Sequence, residues 1–290
     1  MTVRTVLAAI SGGTASNGAI ELSCQLAKRF EAHIEGFHVR VDPREVIMAA
    51  GTGFDLPLAG SWIEQLVEDA AKRADETKAA FQAALVRHNI PLVEKPTKGG
   101  VSATWRDETG HADRTVSRHA RFFDLVILGR SDRVVEQPHS DTVEKTLLES
   151  GRPVLLAPAE PVETIGEAIA VGWNGSPQAV RAIVNSLPLL ASAKTVTLIT
   201  IGNEEEGVEE EGAIAMLDYL SWRGIAAKHY IVRSTPGARP GEQLLSGARD
   251  SGADLLVMGG YGQAPWRQFL FGSATQQIVG VSLLPLLLSH

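Results

Sequence analysis

Several features that are common in enzymes and in nucleic-acid-binding proteins are scarce in this chain. It has one cysteine, Cys24, in 290 residues, which excludes an internal disulfide bond and a cysteine-rich zinc site. Lysine and arginine number 27 against 34 aspartates and glutamates, and the net charge of -7 does not favour double-stranded nucleic acid as a partner. No apolar run approaches the roughly 20 residues of a membrane span, and the N-terminus lacks the charged-then-apolar pattern of a signal peptide. We therefore expect a cytoplasmic protein with no nucleic-acid and no membrane partner.

The chain repeats itself, with a composition that is otherwise ordinary for a globular protein. Hydrophobic residues make up 44% and charged residues 21% of the sequence. Three segments recur in the same order in the two halves: Val6–Gly13 with Ile169–Ser176, Phe123–Gly129 with Ala253–Gly259, and Gly151–Pro158 with Leu283–Leu288. A repeated order indicates two copies of one domain. A polar segment containing proline and glycine separates them, so we predict domains at residues 1–159 and 166–290.

Each copy alternates strand-like and helix-like segments. In the second copy, the apolar pattern Ala168–Trp173 predicts a strand, and Ser176-Pro177 is typical of the N-cap and first turn of a helix. Alternating strands and helices predict an α/β fold with a parallel sheet covered on both faces. The first copy has extra residues, which predict a loop at Pro43–Ser61 and a long amphipathic helix at Trp62–His88. A loop of this length often serves a function.

Glycines cluster where a predicted strand of the second copy ends. The apolar run Asp254–Met258 predicts a buried parallel strand that leads directly into Gly259. Gly262 follows after two intervening residues, and Gly272-Ser273 after nine more. Glycine allows the backbone to turn sharply and to approach a ligand closely, and the N–H groups at a helix start attract anions. The spacing therefore predicts a seat for the phosphates of a nucleotide.

The pattern Gly259-x-x-Gly262, nine residues and then Gly272-Ser273 resembles the nucleotide-binding signature of the universal stress protein family. Other segments are similar to family motifs: Trp173–Pro177 to the end of the first strand, Gly36–Val39 to the end of the second, and Gly241–Leu245 with Gly252–Gly259 to the approach to the glycine loop. The resemblance covers nearly the whole chain as a tandem pair. A glycine triplet alone is a weak signal, but glycines, serine, strand and repeated scaffold together are specific.

The resemblance implies two Rossmann-like domains, similar to adenine nucleotide alpha hydrolases. Each is expected to contain a five-stranded parallel sheet in the order 3-2-1-4-5 between helices. Family members commonly pair through their last strands, so a tandem chain resembles such a dimer joined in one polypeptide. The resemblance therefore implies a pseudo-two-fold pair in which the strands at Val154 and Leu286 face each other. The resemblance leaves open whether two such chains form a further homodimer.

The resemblance also implies a ligand, which is ATP or another adenine nucleotide, with or without magnesium, in the second domain. Its base is implied to lie near Trp173, Asn174 and Ile201. Its phosphates are implied to meet the residues of the glycine loop, namely Gly259, Gly262, Arg267, Gly272, Ser273 and Ala274. Asn174 departs from the family, because many members have an aspartate there. Asparagine keeps hydrogen-bonding groups but brings no charge for a contact through a metal.

The first copy carries a degenerate version of the loop. Gly129-Arg130-Ser131-Asp132 lacks the second glycine, and His139-Ser140-Asp141-Thr142 stands where Gly-Ser is expected. Asp132 and Asp141 would repel a phosphate unless a divalent metal bridged them. We therefore predict that this copy is a structural partner of the second. Whether its long loop covers a pocket for another small ligand stays open.

Two further signals are better explained by structure than by chemistry. Ser11–Ser16 is similar to the phosphate loop of ATP pyrophosphatases, but Ala15 replaces the aspartate of that loop, so we predict a glycine turn before a helix. His111 and His119 flank a stripe of arginines, namely Arg114, Arg118 and Arg121. They lack a carboxylate that would orient a metal-binding imidazole, so we predict an exposed helix face. We predict no metal site and no catalytic residue.

Three functions are open at this point. The leading hypothesis is a tandem universal stress protein that binds an adenine nucleotide and acts in the stress response as a sensor or regulator, with an unknown protein partner. The alternative is a slow ATPase at the same site, which would need a base that Asn174 cannot supply. The third is a nucleotide-free structural or interaction scaffold.

Overall fold

The chain forms two compact units. The N-terminal unit comprises Arg4–Ser150 and Ala159–Pro161, and the C-terminal unit comprises Met1–Val3, Gly151–Pro158 and Val162–His290. The computed structural model describes residues 2–13, 15–40, 42, 56–95, 99–130, 137–202, 207–235, 237–260, 278 and 282–290. The domain limits of 1–159 and 166–290 stay a prediction.

Parallel strands and helices alternate in the N-terminal unit. The strands are β1 (Thr5–Ala9), β2 (His33–Arg40), β3 (Ser102–Thr109) and β4 (Leu125–Gly129), in the order β3-β2-β1-β4. The helices are α1 (Ala15–Phe30), α2 (Leu56–Arg87), α3 (Ala112–Ala120) and α4 (Gln137–Glu149). Successive strand residues point to opposite faces. Phe37 of β2 therefore meets His119 of α3, while Gly36 lies against Phe81 of α2.

Helix α2 begins earlier than the sequence predicted, at Leu56 instead of Trp62. Pro57 falls in the first turn, where the backbone N–H has no intrahelical partner, so proline does not oppose this start. The end of the predicted loop Pro43–Ser61 is therefore helical, and its residues 43–55 lie outside the described residues.

The C-terminal unit repeats the strand order of the first. Its parallel strands are β6 (Ala168–Gly172), β7 (Thr195–Gly202), β8 (Ala227–Arg233), β9 (Leu255–Gly259) and β10 (Leu286–Ser289). They are arranged β8-β7-β6-β9-β10, which is the predicted order 3-2-1-4-5. The α/β class predicted from the alternation of strands and helices is therefore confirmed.

Three helices of the C-terminal unit lie within the described residues: α5 (Pro177–Leu190), α6 (Gly207–Ser221) and α7 (Pro240–Asp250). Helix α5 packs on β9 and β10, while α6 and α7 pack on β7 and β8. No helix in the described part of either unit combines the length and the apolar composition of a membrane span.

Strand β5 (Val154–Ala157) comes from the first copy of the repeat but belongs to the C-terminal unit. It runs antiparallel to β10, with Leu156 opposite Leu286 and Val154 opposite Leu288. The expected pairing of the strands at Val154 and Leu286 is therefore confirmed. All residues of β5 are buried, and its pairing covers the edge of β10 that would otherwise present unpaired backbone groups. The C-terminal unit thus contains more strands than the five predicted for one copy.

An aspartate fixes the start of the central strand in each unit. In the C-terminal unit, the Asp254 carboxylate accepts backbone N–H groups from Gly166 (2.9 Å), Glu167 (3.0 Å) and Ala168 (3.1 Å). Asp124 accepts in the same way at the start of β1 in the N-terminal unit. Hydrogen bonds to an ionised acceptor are stronger than those between neutral groups, so these carboxylates hold the first residues of β1 and β6 in place.

Cys24 is expected to be chemically inert in the folded protein. Its side chain has no exposed surface, and burial raises the pKa of the thiol to about 12. Because the thiolate is the reactive form, we expect iodoacetamide at pH 8 to leave the native protein unlabelled and to label it fully in denaturant. Mass spectrometry after timed labelling measures this difference. Rapid modification of the native protein would contradict the buried position.

Candidate functional site

The strand order of the C-terminal unit places the topological switch point, where sheets of this kind have a ligand crevice, at the carboxyl end of β6. From β6 the chain passes through α5 to β7 on one side, whereas β9 lies on the other side and is followed by β10. In open parallel sheets, ligands bind where the connections leave in opposite directions, outside the carboxyl ends of the strands. Strand β6 ends at Gly172 and β9 at Gly259, so the two segments that follow them form this edge.

The turn after β6 is open. The Trp173 backbone N–H donates to the Ile199 carbonyl at 2.8 Å and extends the pairing with β7 by one residue. Gly175 then adopts a φ of +70°, which favours glycine, and no atom lies within 4 Å of a Cβ placed on it. The Ser176 N–H donates to the side-chain Oδ1 of Asn174 at 3.2 Å, which stabilises the turn.

Helix α5 begins directly at this turn, as Ser176-Pro177 predicted. Ser176 is the N-cap, and its hydroxyl accepts the Ala179 N–H at 3.2 Å. Pro177 occupies the first turn and no acidic residue lies there. The helix dipole and the free N–H groups of this end therefore favour an anion next to the crevice.

The end of β9 lies against the first turn of α5. A Cβ atom placed on Gly259 would lie 2.7 Å from the Ala179 nitrogen and from the Gln178 carbonyl carbon, which are both backbone atoms. Only glycine fits such an approach. The Gly260 N–H donates to the Ser289 carbonyl at 2.8 Å, so the chain is still held beside β10 when it leaves β9.

The structure brings four of the predicted site residues to one edge of the sheet. Trp173, Asn174 and Gly259 flank the crevice, and Ile201 lies half-buried near the end of β7. The indole Nε1 of Trp173 lies beside α6, 3.7 Å from the position of a Cβ on Gly212. The remaining predicted residues, namely Gly262, Arg267, Gly272, Ser273 and Ala274, lie outside the described residues.

Gln178 is a residue of this edge that sequence reasoning missed. It follows the N-cap by two positions, and its Cβ is 2.8 Å from the Cβ position on Gly259. Its Oε1 is buried without a hydrogen-bond partner within the described part of the chain. A buried acceptor of this kind requires a donor. In the sequence, nothing distinguishes Gln178 from other helix residues. Only the contact with Gly259 in the structure places it at this edge.

The equivalent edge of the N-terminal unit is covered. The Ile10 N–H donates to the Phe37 carbonyl at 2.8 Å, which repeats the bond made by Trp173 in the other unit. Gly12 has a φ of +94°, but a Cβ placed on it would lie 2.9 Å from Cγ of Arg73 and from Oγ1 of Thr77. Both side chains belong to α2. The extra helix of the first copy therefore covers the turn that is open in the second.

His38 fills the same edge from β2. Its side chain is 2% exposed, and its Nδ1–H donates to the Ile10 carbonyl at 2.7 Å. Trp105 stacks beside the imidazole with 6.5 Å between the ring centres. Burial lowers the pKa of His38, so the ring is held neutral. The edge of β1 and β2 is thus occupied by side chains of the protein itself.

The other candidate residues of the first copy lie in a turn or within a helix. Gly12 and Gly13 both adopt positive φ, and the Gly12 N–H donates to Oγ of Ser16 at 2.8 Å, which is the predicted turn before α1. His139-Ser140-Asp141-Thr142 lies within α4, while residues 131–136 lie outside the described residues.

The prediction of an exposed histidine face on α3 is wrong for His119. Its Nε2 is bonded to the carboxylate of Glu35 on β2, and its ring packs 4.5 Å from the ring of Phe37. Glu35 is far from His119 in sequence, so the helix pattern could not reveal it. Arg114 and Arg118 are exposed as predicted. No group of three or more metal-ligating side chains occurs among the described residues.

Comparison with solved structures identifies the known fold that this chain shares. No protein-family model matches the chain, and no curated protein matches it. A universal stress protein from Archaeoglobus fulgidus DSM 4304 has a similar structure, with a TM-score of 0.73 and 15% sequence identity, over 100% of this chain and 99% of its own. A protein from Pseudomonas aeruginosa UCBPP-PA14 that is assigned to the universal stress proteins gives a TM-score of 0.60 at 11% identity, over 99% of this chain and 93% of its own. A protein of unknown function from Pseudomonas aeruginosa PAO1 gives 0.58 at 12% identity, with 99% and 92% covered. The resemblance predicted from the glycine pattern and the repeat is therefore confirmed for the fold: the chain has the universal stress protein fold along its whole length.

Proposed function

We propose that residues 166–290 bind ATP or another adenine nucleotide, with or without magnesium, in the crevice between β6 and β9. The observation that carries the proposal is the open turn at Gly175, which leads into the N-terminus of α5. The close contact of Gly259 with the first turn of α5 brings the end of β9 to the same edge. Oriented N–H groups beside an open crevice suit the charged end of a nucleotide.

In this proposal, the two ends of the nucleotide bind different parts of the edge. Trp173 and Ile201 provide apolar surface for the base on the side of β7, and Asn174 binds its polar edge. The phosphates lie toward the N-terminus of α5 and the glycine loop, where Gly259, Gly262, Gly272, Ser273 and Ala274 provide backbone donors. Arg267 would neutralise part of the phosphate charge.

The nucleotide acts as a regulatory ligand in this proposal. A ligand changes a protein's behaviour only by binding two of its states with different affinity. Here it would favour one of two states of the C-terminal unit and so alter the surface offered to a protein partner. The protein would then act as a nucleotide-linked sensor in the stress response in the cytoplasm.

We expect one nucleotide per chain. The crevice of the C-terminal unit is open, whereas Arg73 and Thr77 cover the equivalent turn of the N-terminal unit. Several charge-assisted hydrogen bonds, less the cost of association, are consistent with a dissociation constant on the order of micromolar. Mass spectrometry of the extracted protein and calorimetric titration with ATP measure the identity, affinity and stoichiometry.

Two results would contradict the proposal: absence of binding at millimolar ATP, or two equivalent nucleotides per chain. At a hundredfold excess over the dissociation constant, the ligand should also raise the free energy of unfolding by about 2.7 kcal/mol. Phosphate release in the same samples, with and without magnesium, separates binding from slow hydrolysis. Turnover that persists in a Gly272→Val variant would come from a contaminant and not from this site.

A further inference from the structure

Strand β8 is an open edge of the sheet in the C-terminal unit. Within the described residues, β7 is its one neighbour in that sheet. The Ser234 N–H, just after β8, donates to the Gly202 carbonyl of β7 at 3.2 Å, whereas the Arg233 carbonyl accepts a side-chain amide of α7 at 3.0 Å. The backbone groups of successive strand residues point alternately to the two sides of a strand. Those of His229 and Ile231 therefore point away from β7, and no hydrogen bond to them occurs in the described part of the chain.

The N-terminal unit protects its corresponding strand, β3. The Val93 N–H donates to the Ala103 carbonyl at 2.8 Å, and the Ala103 N–H donates to the Pro91 carbonyl at 2.9 Å, so the segment before β3 covers the first part of its edge. The segment before β8 turns back to α6 instead, where the Ile225 N–H donates to the Leu220 carbonyl at 3.1 Å. Sheet edges are normally covered because their unpaired backbone groups accept another strand. The edge of β8 therefore offers its outward groups to a strand from outside the unit.

The charge of β8 selects the kind of strand that can pair with it. The strand carries Lys228, His229 and Arg233 and no acidic residue. Lys228 is exposed and forms no ion pair among the described residues. Pairing of β8 with a second copy of itself would bring these basic side chains together, which is destabilising. Acidic side chains on the added strand would instead be attracted.

A cavity of about 350 Å³ lies beside this edge. Thr197, Lys228 and Tyr230 line it from the sheet, and Asp250 and Ser251 line it at the end of α7. Thr197 and Lys228 are paired in register, so their side chains share this face of the sheet. Asp250 forms no ion pair with Lys228, which leaves the ammonium group for a carboxylate that enters from the edge. A strand added to β8 would direct alternate side chains toward this cavity.

We propose that β8 docks an extended acidic segment of a partner protein, which adds to the sheet as a further strand. The backbone of that segment would bond to the outward groups of His229 and Ile231, and one of its acidic side chains would enter the cavity beside Lys228. In this mode of recognition, main-chain hydrogen bonds provide affinity and side-chain contacts provide specificity. The proposal does not depend on nucleotide binding, because β8 lies at the edge of the sheet and the crevice lies between β6 and β9.

The test uses a fluorescent peptide of about eight residues, within the usual length of a strand, in which valine and glutamate alternate. Fluorescence anisotropy measures its binding to the full chain, and NMR follows amide hydrogen exchange with and without the peptide. We expect binding to slow the exchange of the His229 and Ile231 N–H groups at least about tenfold. The N–H groups of Lys228 and Tyr230 already point to β7 and should change less.

Three variants and a second peptide test the parts of the contact. Lys228→Glu should weaken binding about fivefold or more, because attraction by the ammonium group becomes repulsion. Lys78→Glu makes the same charge change at an exposed position of α2 and should stay within about twofold of the unmodified chain. Ile231→Pro removes one outward N–H group and spares those that point to β7, so it should weaken binding about fivefold. A peptide with lysine in place of glutamate should bind at least about fivefold more weakly.

Melting temperatures show whether each variant is folded, and Lys228→Glu with the lysine peptide decides the outcome if Ile231→Pro unfolds. The proposal is overturned if the glutamate peptide does not bind at millimolar concentration, if it binds without slowing exchange at His229 and Ile231, or if it binds no better than the lysine peptide. Slow exchange of both groups in the peptide-free chain, together with a dimer in analytical ultracentrifugation that Lys228→Glu alters, would assign the edge to a second copy and overturn it as well. Absence of ATP binding alone contradicts only the proposed function.

Discussion

Replacing Asp254 with alanine is expected to lower the free energy of unfolding by about 3 kcal/mol. The reason is that the carboxylate accepts three backbone N–H groups at the start of β6, at 2.9, 3.0 and 3.1 Å, and alanine leaves all of them without this acceptor. For a unit of this size, the loss corresponds to a fall in melting temperature of about 6–12 °C. Thermal and guanidinium unfolding followed by circular dichroism measure the change.

Two variants control this expectation. Asp254→Asn keeps one acceptor oxygen without the charge and should lose about half as much stability. Asp250→Ala removes an exposed aspartate near the end of α7 and should change the free energy of unfolding by no more than about 0.5 kcal/mol. A loss below about 1 kcal/mol in Asp254→Ala would mean that water replaces the carboxylate without cost.

Gly259→Ala is expected to damage the crevice and the fold together. The added methyl group would lie 2.7 Å from backbone atoms of Gln178 and Ala179, which cannot move without displacing the first turn of α5. Overpacking of this kind typically costs about 1–3 kcal/mol. If the nucleotide binds as proposed, its affinity should fall at least about tenfold, because the displaced turn carries the anion-binding N–H groups. Calorimetric titration and thermal unfolding of the same samples measure both effects.

Gly212→Ala provides the matched control. Its Cβ would lie 3.7 Å from Nε1 of Trp173, which is an ordinary contact, and the residue lies within helix α6. Alanine in a helix interior is favoured over glycine by roughly 0.5–1 kcal/mol, so this variant should be as stable as the unmodified chain or slightly more so. Equal losses in the two variants would disprove the special role of the close approach at Gly259.

Local signals in the sequence predicted much of the fold. The run Asp254–Met258 predicted strand β9 because it is apolar on both faces, and Ser176-Pro177 marked the start of α5 because a hydroxyl and a proline suit a helix N-terminus. These two features depend on residues that are close together in the chain. The strand order 3-2-1-4-5 came instead from the resemblance to the universal stress protein family.

Contacts between distant residues could not be predicted in this way. The pairing of His119 with Glu35 and the cover that Arg73 forms over Gly12 depend on elements that are separated in sequence. Helical periodicity alone predicts the face of a helix on which such residues lie, but it does not predict the residues that they contact. For the candidate site, the sequence placed Asn174 and Gly259 at strand ends, but it gave neither the orientation of the amide nor the contact with Gln178.

Because strand β5 of the first copy belongs to the C-terminal unit, the molecule is suited to fragment complementation. A protease cut in the segment after Ala159 would break the covalent link between the two halves of the chain but not the pairing of β5 with β10. Strand β5 would still be fully buried against β10, with Val154 opposite Leu288 and Leu156 opposite Leu286. Conversely, the second half produced alone would lack this strand and would leave the edge of β10 open to self-association. Reporter fragments attached on either side of the cut would therefore be held together by the sheet itself.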